Sequence, residues 1–210
     1  LPGDRRSNYQ PGTGWAYAAV TPWRLYKISQ HAGGVTTGAI VRWPAGGVKA
    51  GRIERADAHI VDLAPTLLEA ATLPVRGAGF DGESLLALLQ GQEWQRRGPM
   101  YFQFFNNRAI RTAKWTLAEV DAAGWELFDA TGDPLEIHDL APSRSDVVDE
   151  LGALWNRWWT VESGRAGYEP ASADDNPHYW LQGDRGTSPA YVPSAMPETL
   201  KQRIPVPARS

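Results

Sequence analysis

The densest set of side chains with chemical potential is Arg24, Lys27 and His31, followed by Gly33-Gly34. Lys27 and His31 lie four residues apart beside two positions without side chains, so an anionic group could approach both cations and the backbone. That makes the cluster a candidate oxyanion-binding corner. Spacing alone also leaves open a solvated basic turn ended by glycines. The four histidines, His31, His59, His138 and His178, lie far apart, none with a second ligand type at a zinc-like spacing, and no metal site is expected from them. The acidic series Asp129, Asp133, Glu136 and Asp139 lacks the alternate-position oxygens and central glycine of a calcium loop. It reads as turn caps around Gly132-Asp133-Pro134. Asp174-Asp175-Asn176 reads as solvated.

Composition narrows the chemistry. The chain has 210 residues and no cysteine, so a disulfide framework, a thiolate metal site and a cysteine nucleophile are all excluded within it. Lys plus Arg at 21 against Asp plus Glu at 24 gives a net charge of -3, which offers no electrostatic reason for a nucleic-acid partner. No apolar run approaches the roughly 18 residues that cross a bilayer, and no membrane span is expected. Gly at 21 and Pro at 16 are well above average usage, so turns and loops must be abundant. The chain starts at Leu1 without a basic and apolar leader, and is expected to be trimmed; cytoplasmic and periplasmic compartments both stay open.

The elements that must position the basic corner follow from periodicity. Residues 1–14 read as a coil lead-in. Ala39 to Trp43, closed by Pro44, reads as a buried strand. Asp62 is expected to cap a helix through Ala71 whose Leu63, Leu67, Leu68 and Ala71 share one face. A strand followed by such a helix is a βα unit, the end of an α/β layer that cannot close a core alone. A short helix over Ser84 to Gln90 should stop at Gly91. Tyr101 to Phe105, Arg108 to Arg111, Trp115 to Val120 and Trp125 to Phe128 read as antiparallel hairpins. Ser145 opens a helix with Val147, Val148, Leu151, Leu154, Trp155, Trp158 and Trp159 at helical spacing, a stripe broad enough to cover that sheet. The last 48 residues hold seven prolines and few aliphatics, and are expected to be disordered or an extended arm.

The order of segments carries a resemblance. Gly14-Trp15-Ala16, Thr21-Pro22-Trp23-Arg24-Leu25-Tyr26-Lys27, Gly33-Gly34-Val35 and Ile40-Val41-Arg42-Trp43-Pro44 closely resemble a stretch of bacterial arylsulfatases of the sulfatase family. So do His59 to Leu68, Arg108 to Trp115, Trp125 to Asp129 and Asp133-Pro134-Leu135-Glu136-Ile137-His138-Asp139-Leu140-Ala141. The resemblance implies α/β plus α+β architecture: residues 1–95 as the C-terminal end of an alkaline-phosphatase-like α/β domain, and 96–162 as a small antiparallel four-stranded sheet packed on a C-terminal helix. Residues 163–210 form the proline-rich arm.

The resemblance also implies chemistry. In the family a formylglycine made from the Cys (or Ser) of a Cys-x-Pro-Ser-Arg motif attacks sulfur, and a calcium ion held by Asp and Asn side chains polarises the sulfate oxygens. Both are expected in the missing N-terminal part, since Pro142-Ser143-Arg144 here follows Leu140-Ala141. Lys27 matches the lysine that contacts the sulfate and is the one catalytic position carried over. His31 joins it as a candidate substrate-binding residue, with Arg24 behind. Ala32 stands where Glu or Gln usually precedes the double glycine, Gly38 where proline is usual, and Thr112-Ala113 where a turn with positive φ is common. The implied function is a sulfuric ester hydrolase, cleaving a small-molecule sulfate ester to an alcohol or phenol and sulfate, and inactive as an isolated chain. A phosphonate or phosphodiester hydrolase of the same superfamily and a non-catalytic interaction module remain open.

Overall fold

The short aromatic and β-branched runs become a four-stranded sheet. β1 (Met100–Phe104), β2 (Asn107–Arg111), β3 (Trp115–Glu119) and β4 (Glu126–Asp129) lie side by side in chain order. The structure is a computed structural model that describes residues 12–75, 79–104, 106–120 and 123–166. The helices in it are α1 (Gly12–Val20), α2 (Ala32–Val35), α3 (Leu63–Ala70), α4 (Leu86–Leu89) and α5 (Ser145–Ala166). The lead-in before residue 12, the expected arm beyond Ala166 and His178 lie outside the described residues.

The β2–β3 and β3–β4 pairs are antiparallel, with Ile110 opposite Leu117 and Leu117 opposite Leu127. Side chains alternate along a strand, so these three share a face. Val147, Leu151 and Trp155 of α5 pack on that face in one buried cluster, as the helical stripe predicts. Each fully buried side chain of this kind contributes about 1.5–3 kcal/mol. The Trp155 indole also donates to the Phe102 carbonyl at 3.1 Å. Arg108 lies between Trp125 and Trp155, 4.3 Å and 5.1 Å from their ring centres, and pairs with Glu119. At the β2–β3 turn neither Thr112 nor Ala113 takes positive φ. The Thr112 hydroxyl closes the turn instead, accepting from the Trp115 amide at 2.9 Å.

The opposite face carries Ala109, Ala118, Glu126 and Phe128, and these too are buried. Strands buried on both sides lose the polar alternation of a half-exposed sheet, which is why Trp115 to Val120 reads as nearly continuous. The second cover comes from residues 24–36. Described residues up to Thr36 group with those from Tyr101 onward into one compact unit, whereas 37–100 form another.

The unit of residues 37–100 departs from expectation in two ways. Ala39 to Trp43 is not a strand: no described strand pairs with it, and Ile40 is 99% exposed. A β segment without a ladder partner has no means to satisfy its amides in sheet form. Asp62 does not cap α3. Its buried carboxylate accepts from the amides of His59 at 2.6 Å and Glu83 at 2.8 Å and pairs with Arg96, tying three segments together. Consequently α3 turns Pro65 and Thr66 inward and leaves Leu63, Leu67 and Ala71 exposed. The α4 helix ends as expected, with Gly91 at φ 79° just beyond it.

Candidate functional site

The basic corner is a tight loop between α1 and α2. Leu25 anchors it, packing with Val120, Tyr17, Tyr26 and Ile28. Leu25 at φ 56° and Ile28 at φ 89° both take the left-handed region, so the backbone doubles back on either side of Lys27. That conformation is costly for a β-branched residue, about 1–3 kcal/mol, and persists only where the surroundings over-determine it. The Gly33 amide donates to the Arg24 carbonyl at 2.7 Å and closes the loop. A Cβ on Gly33 would strike the Leu25 carbonyl oxygen, and one on Gly34 that of Ser29. The double glycine thus serves close backbone approach within the loop.

Beneath the loop lies a buried group of four charge-bearing side chains. His31 is 0% exposed, with Nδ1 2.8 Å from Glu136 Oε2 and Nε2 3.1 Å from Glu126 Oε2. Arg24 donates from Nη2 to Glu126 Oε1 at 2.7 Å and from Nη1 to the Glu136 carbonyl at 3.2 Å. The Ala32 amide donates to Glu136 Oε2 at 3.0 Å. Phe128 forms the floor, its ring centre 5.1 Å from the Arg24 guanidinium carbon and 5.7 Å from the imidazole centre. Two carboxylates facing the two ring nitrogens ask for a proton on each. Burial by itself would lower the pKa of His31, but the bonds to Glu126 and Glu136 and the charge of Glu136 prevail over it and over Arg24, leaving it raised. For Glu126, burial pushes upward, yet His31 and Arg24 together hold its carboxyl below the ordinary range.

Lys27 is exposed on the outside of this loop, and among the described residues it has no hydrogen-bond or ion-pair partner. The structure places His31, expected among the substrate contacts, wholly inside the unit, with both nitrogens turned to carboxylates. Arg24 is buried as well. Of the three cations in the corner, only Lys27 faces solvent. An exposed ammonium on a firmly held backbone can bind an oxyanion without losing a prior partner.

Glu126 and Glu136 escaped the sequence reading. Each is more than 90 positions from the loop it supports, and Glu136 resembles its turn-capping neighbours. Those neighbours do cap: Asp129 accepts from the Gly132 amide at 2.8 Å, Asp133 from that of His138 at 2.7 Å, and Asp139 from that of Ala141 at 2.8 Å. The signal left in the sequence is the Glu of Asp133-Pro134-Leu135-Glu136, which in the structure takes φ 59° and turns its carboxylate under the loop. Leu140 to Arg144, the echo of the nucleophile motif, is a single turn leading into α5, with Leu140 packed against the sheet cluster. Among the described residues no group of three or more His, Asp or Glu is placed to hold a metal ion.

Comparison with known proteins gives the architecture a family. The family model of the N-sulphoglucosamine sulphohydrolase C-terminal region matches residues 25–157. An uncharacterized sulfatase of Schizosaccharomyces pombe is 31% identical over 159 residues, 69% of this chain and 28% of that protein. The chain thus spans under a third of that relative's length. A solved chain described with the metabolism of multiple glycosaminoglycans by Bacteroides thetaiotaomicron is 26% identical, with TM-score 0.55, covering 66% of this chain and 32% of that one. The structure named Ps i-CgsB shares the fold at 24% identity and TM-score 0.54, covering 66% and 32%. The match takes in the Lys27 loop, the buried carboxylates, the sheet and most of α5, and the chain belongs to the sulfatase family as a C-terminal part of it.

Proposed function

We propose that this chain supplies one cationic contact, Lys27, to the sulfate-binding corner of a sulfuric ester hydrolase. The observation that carries the reading is an exposed lysine, without a partner among the described residues, on a strained loop locked from below, inside a region matched by a sulfatase family model. Sulfuryl transfer shifts negative charge from the sulfate oxygens to the leaving oxygen. A pre-positioned ammonium favours the state in which that charge has moved and needs no reorganisation at the moment of reaction.

The other roles lie with other residues. This chain contains no cysteine and no donor cluster for calcium among its described residues, so attack on sulfur is not assigned to it. By itself the chain is expected to turn over no ester. The exposed face of α3 supports a further role as the end of an α/β catalytic layer that the remainder of the enzyme covers.

Aryl sulfates are the first substrates to try. Sugar sulfates belong beside them, because the matching family model is named for N-sulphoglucosamine and the Bacteroides relative for glycosaminoglycan metabolism. The test expresses the complete reading frame and follows p-nitrophenyl sulfate, N-sulfoglucosamine and an aryl phosphodiester in parallel. Release of inorganic sulfate at rates well above phosphodiester cleavage is expected. Preferential cleavage of the phosphodiester, or no sulfate release from either sulfated substrate, would overturn the reading.

A further inference from the structure

The buried group beneath the loop does more than fill space. It gathers Arg24, His31, Glu126 and Glu136 from three places in the chain, and it is charge-balanced only with an imidazolium at His31. Without that proton, one carboxylate faces a ring nitrogen that cannot donate to it, in a site water does not reach. Glu136 Oε1 and His31 Nε2 are both buried without a well-directed hydrogen bond, so Nε2 meets Glu126 Oε2 through charge at 3.1 Å and the cluster has little polar capacity in reserve. The loop above is under left-handed strain at Leu25 and Ile28, on both sides of Lys27. Strain of that kind is held only while the anchor holds.

We propose that Glu126 and Glu136 are positioning residues that clamp the Lys27 loop through a protonated His31, and that loss of that proton loosens the loop and withdraws Lys27 from its working position. The clamp has three parts: the Nδ1 contact to Glu136, the Nε2 contact to Glu126, and the Ala32 amide on Glu136. The charged groups facing the ring are Glu126 from β4, Glu136 from the turn beyond β4, and Arg24 from the loop itself; Phe128 is the uncharged floor. The raised pKa of His31 agrees with this arrangement. The role in catalysis rests on the sulfatase reading above, whereas the clamp itself does not.

Two measurements separate the two. In the full 210-residue chain, NMR of the histidine rings, with His31 assigned by loss of its signal in His31→Asn, should show His31 titrating above the ordinary value of about 6.5. Amide-exchange protection at Ala32 and Gly33 should fall as pH passes that titration, while Leu117 in the sheet stays protected. Glu136→Gln should move both events down by about one pH unit or more. Glu126→Gln, acting on the other nitrogen, should do the same if the first variant folds poorly. Titration of His31 at or below the ordinary value, or protection at Gly33 that ignores it, overturns the clamp. In the protein from the complete reading frame, the alkaline limb of kcat should shift down with Glu136→Gln while KM changes little. A limb that stays fixed overturns the positioning role, and absence of sulfatase activity in the wild type overturns the functional reading while the NMR result still decides the clamp.

Discussion

At the scale of single residues, the buried charges make stability depend on pH from both sides. His31 is raised above its ordinary value, so its contribution is complete below about 6.5 and is lost as pH rises through the raised folded-state value. Glu126 is held below its ordinary value, so its contribution is complete above about 4.3 and is lost as pH falls through the lowered one. Urea midpoints measured across pH should therefore be highest between about 4.3 and 6.5 and decline on each side. A midpoint still climbing above that window would contradict the pairing. Glu126→Ala leaves Arg24 and His31 facing a missing carboxylate, and equilibrium unfolding near pH 6 should show a loss of about 3–5 kcal/mol. The proposal for Lys27 was available from the sequence because its neighbours resemble a family pattern. Its supports were not, because Glu126 and Glu136 meet His31 only after the sheet forms, across more than 90 residues of chain.

At the scale of elements, the hairpins and α5 follow from local signals, and the structure departs where a segment needs a neighbour. The four short runs and the tryptophan-rich stripe each find their partner inside the same stretch of chain, so periodicity was enough. Trp155 concentrates that packing, since it meets Arg108, Trp125, Trp158 and Trp159 and bonds the Phe102 carbonyl. Trp155→Ala should cost about 3–5 kcal/mol by urea unfolding followed through far-UV circular dichroism. Gly33→Ala should cost about 1–3 kcal/mol, because the added methyl group meets the Leu25 carbonyl in a loop with no room to yield. Ala39 to Trp43 carries a strand signal of equal quality and forms none, for lack of a described strand beside it. Asp62 shows the same limit: an N-cap pattern was visible, but Glu83 and Arg96 take its carboxylate first.

At the scale of the whole molecule, the chain carries two kinds of surface. The sheet is covered on both faces, whereas α3 and the turn before it leave Ile60, Val61, Leu63 and Leu67 exposed. Contiguous apolar residues of that kind mark a face that something else covers. The isolated chain should self-associate in light scattering, and Leu63→Glu with Leu67→Glu should reduce that without lowering its melting temperature. A monodisperse wild-type chain would favour a self-sufficient interaction module over part of a larger enzyme. The βα reading of residues 39–71 is the part of the fold least readable in the sequence, because Ala39 to Trp43 has no strand beside it among the described residues. The most direct measurement for the catalytic proposal is steady-state kinetics of Lys27→Ala in the protein from the complete reading frame, assayed on an aryl sulfate beside the wild type. A fall in kcat of about 10²–10³-fold with an unchanged circular dichroism spectrum is expected; wild-type turnover in that variant would contradict the role assigned to Lys27.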